Sequence, residues 1–448
     1  MTTIGWMRTG TAAAVAAALV AGYVWQRTDE GSAAHASGRG VFADVASSRT
    51  LDGRTGRDGL AATRTAMRAR LATRPTDGEA AVRLADALLR EARVSNNAGL
   101  AREAEAVVRR VLRDEPADYD ARRMLAAVLL SEHRFEEAIA EANRCRDMRP
   151  RDAWPWGVLA DAHVERGEYD QAFAAVDRML ALRPDAGGYA RASYARELQG
   201  DLDGALRFMR MATEATAPLD IESLAWHHAQ SGHLLLAQGA TSDARREFLH
   251  AGQLFPNHPF AAEGLARVDA ADGRYAEALA RVQASLETAP SPGGAALAGD
   301  LLHALGRDAE AERQYQLAEA AWREDAPEPA RLARFLVERG RRTGEALAIL
   351  EAEPRHDIFT EDARAWAFFW SGRLAEAERA MQSALRTGTR DRVIRYHAAA
   401  IAQATGNEGA ARRFVDEALA GAPRFDLIAA PDALVLRRTL GPAQVASR

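Results

Sequence analysis

Apolar residues recur along most of this chain three or four positions apart, and the smallest of them keep fixed places. Residues 151–184, RDAWPWGVLADAHVERGEYDQAFAAVDRMLALRP, hold Ala160, Gly167 and Ala172 among larger apolar side chains and end on Pro184. That pattern predicts two antiparallel helices. The glycine ends the first helix in a left-handed residue. Small side chains let the two helices approach closely, and the proline stops the second.

The same punctuation runs down the chain. Pro116, Pro150, Pro184 and Pro218 stand 34 residues apart, as do Pro256 and Pro290. Gly167, Gly200, Gly239, Gly273, Gly306, Gly340, Gly372 and Gly406 follow at intervals close to that value. An alanine lies five residues after almost every one: Ala172, Ala205, Ala244, Ala278, Ala311, Ala377 and Ala411. In one unit His133 takes the glycine place and Ala138 keeps the alanine. Ala126, Ala160, Gly232, Ala266 and Gly299 form a small site midway in the first helix. Leu125, Leu159, Phe248, Leu265 and Tyr315 supply bulk between such sites. A fixed period of this length marks a solenoid of helix pairs.

The segments QSGHLLLAQGATSDARREFLHAGQLFP and GLARVDAADGRYAEALARVQASLETAP resemble the tetratricopeptide repeat. The resemblance covers residues 77–423, roughly ten units. It implies an all-α solenoid, a right-handed superhelix whose first helices line a concave groove. The units around 187–218 and 327–354 match weakly, and the first carries extra residues near ARVSNNAGL. Residues 60–76 are expected to form an N-terminal capping helix, and residues 424–448 a C-terminal cap and tail. The later segments also resemble exported bacterial repeat proteins of unassigned role.

Arg8 precedes an uncharged run over residues 9–25, rich in alanine and ending near Tyr23 and Trp25. A run of this length is at the short end of what spans a bilayer. Residues 1–26 are expected to be a signal anchor, with a cleaved signal peptide as the alternative, cut near Ala36. Either reading puts the repeats outside the bacterial cytoplasm, at the inner membrane or secreted. Residues 27–59, rich in Gly, Ser, Arg and Asp, read as a flexible linker.

Composition then narrows the chemistry. The net charge is −5 over 448 residues, which argues against nucleic acid as a partner. All 58 basic residues are arginine. Repeat proteins of the resembled family that clamp a chaperone's terminal carboxylate use groove lysines, and this chain has none. The single cysteine, Cys145, falls in a small-residue slot and reads as a buried packer. His227, His228 and His233 share a helix at steps of one, five and six, not the four-residue step zinc prefers. No nucleophile elbow or phosphate loop is present. An enzyme, a cofactor, a metal or a small-molecule substrate is therefore not expected.

What remains is a surface for a protein or peptide. The repeat register projects Arg123, Trp154, Asp161, Glu165, Tyr194, Trp226, His233, Phe260, Glu263, Arg267, Asp300, His303, Asp362, Trp366, Trp370 and Tyr396 onto the groove. Tryptophan, tyrosine and arginine are the residues that dominate binding hot spots. The chain is thus expected to be a non-enzymatic scaffold holding a partner segment in its groove. The rival is an envelope assembly factor acting through lateral or convex-face contacts, with an apolar patch near Phe425 to Leu436.

Overall fold

The structure is a computed structural model and describes residues 54–324 and 329–441. The described residues form twenty-two helices and no strand. A first helix, α1 (Arg54–Thr73), precedes ten hairpins. They begin with α2 (Gly78–Ser95) on α3 (Ala98–Asp114), α4 (Tyr119–Ser131) on α5 (Phe135–Met148), and α6 (Trp154–Arg166) on α7 (Tyr169–Leu182). Next come α8 (Ala186–Leu198) with α9 (Leu202–Ala215), α10 (Ile221–Gln238) with α11 (Thr241–Leu254), and α12 (Pro259–Ala271) with α13 (Tyr275–Thr288). The last four pairs are α14 (Pro292–Ala304) with α15 (Asp308–Glu324), α16 (Pro329–Glu338) with α17 (Thr343–Ala352), α18 (Ile358–Trp370) with α19 (Leu374–Ala384), and α20 (Arg392–Ala404) with α21 (Glu408–Leu419). The helix α22 (Ala429–Leu440) follows.

Helix starts follow from the sequence. Asp77, Asp118, Asp185, Asp201, Asp220, Ser291, Asp357, Asp391 and Asn407 each accept a backbone N–H of the next helix. Each such cap satisfies one of the donors a helix leaves orphaned. Helix ends do too: the eight period glycines have φ between 58° and 84°, and His133, in the same slot, has φ 58°. The small residues are the contact points: Ala126, Ala138, Ala172, Ala205, Ala244, Ala266 and Ala278 have no exposed surface. Cys145 is fully buried among them, and burial pushes its thiol up to about 12. The two weakly matching units also form hairpins, α8 with α9 and the short α16 with α17.

One expectation changes. The capping helix begins at Arg54 and not at 60, inside the stretch read as linker. Its glycine content suggested a linker; in the fold Gly56 lies against the Phe255 ring, and Arg57 stacks on that ring and donates to the Asn257 carbonyl at 3.1 Å. The expected membrane segment lies outside the described residues. No helix among the described residues is long and apolar enough to cross a membrane.

Candidate functional site

Each unit packs on its neighbours, and a small rotation per unit winds the solenoid around a lumen. Successive turns of the winding touch. The Ile358 N–H donates to the Tyr169 hydroxyl at 2.9 Å across 189 residues, between five and six units of the repeat. The side-chain amide of Asn96 reaches the Ala289 carbonyl at 3.4 Å across 193 residues. A cavity of about 1090 Å³ lies inside, lined from α2 at one end to Phe425 and Asp426 at the other.

The structure brings five of the sixteen projected residues to this lumen: Tyr194, His233, Phe260, Glu263 and Arg267. His303 and Trp370 are exposed but do not line it. The remaining nine are corrections: Arg123, Trp154, Asp161, Glu165, Trp226, Asp300, Asp362, Trp366 and Tyr396 are buried and do not line the cavity. Several of them face the next unit. Asp161 holds Arg191 at 2.7 Å, Asp300 holds Arg339 at 2.9 Å, and Asp362 accepts from His397 at 2.9 Å. Arg123 sits 5.4 Å over the Trp154 ring. Trp366 stacks between Phe369 and His397, with centroids 4.8 and 4.0 Å away. These polar and aromatic groups join unit to unit, because a buried charge needs a partner and the adjacent first helix is the nearest source. Burial still pushes the Asp161 carboxyl up, to about 6, against the pull of Arg191.

In the lumen, Glu263 and Arg267 pair at 2.7 Å one turn apart on α12. The His233 ring stands edge-on to Phe248 at 4.9 Å, and burial pushes it down to about 4, so it is neutral. Most of the lining escaped the register, including Glu197, Phe359 and Arg390. Glu197 lines the wall, and burial with Asp391 beside it pushes its carboxyl up to about 7. Phe359 and Arg390 line it from units one turn further on, where no local pattern relates them to α8 or α10. The lining carries eight arginines and seven carboxylates, so the lumen is mixed in charge. His227, His228 and His233 go separate ways: His227 meets the Thr216 hydroxyl at 3.2 Å and His228 the Glu247 carboxylate at 2.7 Å. Among the described residues no group of three His, Cys, Asp or Glu is arranged to hold a metal.

The raised Glu197 carboxyl gives a signed pH dependence. Its folded state favours the neutral form, so its contribution is complete below the ordinary value of 4.5 and is lost as pH rises through 7. Between pH 5 and 8 the natural chain is expected to lose about 2 kcal/mol relative to Glu197→Gln, discounted for partial exposure. Urea unfolding of both chains at the two pH values checks this; parallel curves would contradict it.

Comparison with known proteins adds the following. The tetratricopeptide-repeat family model matches residues 129–197. No curated protein matches the chain. Among solved structures, the chain is similar to a human IFIT1 dimer with PPP-AAAA, at 17% identity over 69% of this chain and 73% of that one, with a TM-score of 0.47. It is similar to a tetratricopeptide repeat protein from Parabacteroides merdae, at 17% identity over 53% of this chain and 93% of that one, with a TM-score of 0.39. It is also similar to PilW, a type IV pilus biogenesis factor, at 16% identity over 48% of this chain and 97% of that one, with a TM-score of 0.38. The matched residues span the second to fourth hairpins, and the same period and small-residue slots run through the hairpins around them. The chain thus carries a tetratricopeptide-repeat region at residues 129–197.

Proposed function

We propose that this chain is a non-enzymatic scaffold that holds a segment of another protein in its lumen, at the bacterial inner membrane or secreted, with the repeats outside the cytoplasm. Tetratricopeptide repeats in general mediate protein–protein interaction, and the lumen carries the proposal further. Its wall alternates aromatic side chains such as Phe260, Phe359 and Trp322 with polar groups of both signs. Such a wall suits a peptide's mixed side chains. Nucleic acid would call for a net basic channel, which eight arginines against seven carboxylates do not make. Residues 9–25 supply the tether in this reading. The assembly-factor alternative draws on one observation: Leu434 and Val435, on α22, are 39% and 51% exposed.

The test is a pull-down from membranes with the intact chain and a Phe260→Ala, Phe359→Ala, Arg390→Ala variant. Trp366 is unsuitable because it is core. Three lumen contacts at about 1–2 kcal/mol each are expected to lower partner recovery at least tenfold. A partner retained by this variant and lost by Leu434→Ser, Val435→Ser would select the assembly reading. The mass of the recovered bait reports whether residues 1–36 remain.

A further inference from the structure

We infer that the solenoid is a clasp: the lumen is closed by a narrow seam between successive turns of the winding, and large molecules enter only when this seam opens. The inference concerns access and stands whatever the occupant is.

The seam runs where the ends of first helices meet the inter-unit turns one winding later. A Cβ on Gly167 would lie 2.4 Å from the His356 carbonyl oxygen, one on Gly200 2.5 Å from the Gly388 oxygen, and one on Gly239 2.6 Å from the Gly421 oxygen. Three successive units thus bring backbone against backbone. Two arginines latch it. Arg386 donates to the Gly167 carbonyl at 3.1 Å on one side and to the His356 carbonyl on the other. Arg392 donates to the Ala237 carbonyl at 3.0 Å and to the Ala418 carbonyl at 2.8 Å. Each guanidinium therefore ties two turns together, and three of the four accepting carbonyls, those of Gly167, Ala237 and Ala418, lie at or just beyond helix C-termini, where cations are favoured. Tyr169, with Arg386 4.9 Å over its ring, holds the Ile358 N–H beside them.

The seam is a narrower joint than those inside and between units. Those bury apolar side chains over whole helix faces. Across the seam one apolar cluster joins Val164, Tyr169 and Tyr194 with Ile358 and Ile394, and the ties at its surface are hydrogen bonds to backbone carbonyls, with Arg386 exposed to solvent. A solenoid whose units touch chiefly their neighbours can flex along its axis without breaking a unit. The weakest joint then gives first.

The test uses thiol access. His233→Cys puts one reactive thiol in the lumen; Cys145 is buried with a raised pKa and stays silent. The probes are iodoacetamide, which is small, and a polyethylene-glycol maleimide, which is bulky. With the seam intact the bulky reagent is expected to lag far behind the small one. In the added background Arg386→Ala, Arg392→Ala, its rate is expected to rise about tenfold or more, with helical circular dichroism unchanged and the small reagent little affected. Equal bulky-reagent rates in the two backgrounds would overturn the inference, as would a bulky reagent that already keeps pace with the small one in the intact seam. If the double variant loses helix, Tyr169→Phe is read the same way, because it removes only the acceptor of the Ile358 N–H.

Discussion

Gly264→Leu is expected to cost about 3 kcal/mol or more and to melt the middle of the solenoid before its ends. A Cβ built on Gly264 lies 2.1 Å from the Phe248 ring, and one on Gly232 lies 2.7 Å from the same ring. Phe248 is fully buried, so its ring has nowhere to turn. His233 is edge-on to it at 4.9 Å, which blocks one escape. Two helices, α10 and α12, thus press on one aromatic from α11, and only glycine fits at both contacts. Gly252, on the same α11, has nothing within 4 Å of its would-be Cβ. Gly252→Ala is therefore expected to stabilise by about 0.5–1 kcal/mol through chain entropy alone. Urea unfolding of the two variants beside the natural chain reads both signs. A Gly264→Leu chain with an unchanged midpoint would show that Phe248 can move and that the small slots are not closure points.

Arg90→Met is expected to cost about 3–5 kcal/mol. Arg90 is 4% exposed and bonds Asp86 at 3.1 Å on its own helix and Asp220 at 2.7 Å on the loop before α10, 130 residues away. Glu222 lies 3.7 Å from it and also pairs with Arg93. Asp86, Asp220 and Glu222 are all at most 7% exposed. Removing Arg90 leaves three buried carboxyl groups around the Arg93 guanidinium, and uncompensated buried charge is what makes the loss large. Asp220→Asn in the Arg90→Met background keeps the helix cap and removes one of those charges, so part of the loss is expected to return. If Arg90→Met melts with the natural chain, the buried ion pairs between α2 and the start of α10 do not stabilise the fold.

The repeat was legible because its determinants are local. A glycine slot, an alanine five residues on and a closing proline each act within one unit, and the His133 slot was readable from its place alone. Less than a third of the projected groove was legible. Tyr194, His233, Phe260, Glu263 and Arg267 reach it from the predicted faces of α8, α10 and α12. Asp161 and Asp362 do not, because a charged residue near the same face finds Arg191 or His397 on the next first helix. Glu197, Phe359 and Arg390 were invisible for a different reason. They share a wall because turns nearly 190 residues apart touch, and whether turns touch depends on a small rotation per unit summed over more than five units. No single unit's pattern carries that sum.

The central claim is that the lumen is where a partner is held. The most direct measurement places a photo-crosslinking phenylalanine analogue at Phe260, in the lumen, and separately at Leu317, which is 60% exposed and away from it. After irradiation in cells, an adduct to one protein from position 260 and none from 317 is the predicted result. Adducts from 317 or from Leu434 with none from 260 would contradict the claim and move the partner to the outside of the solenoid.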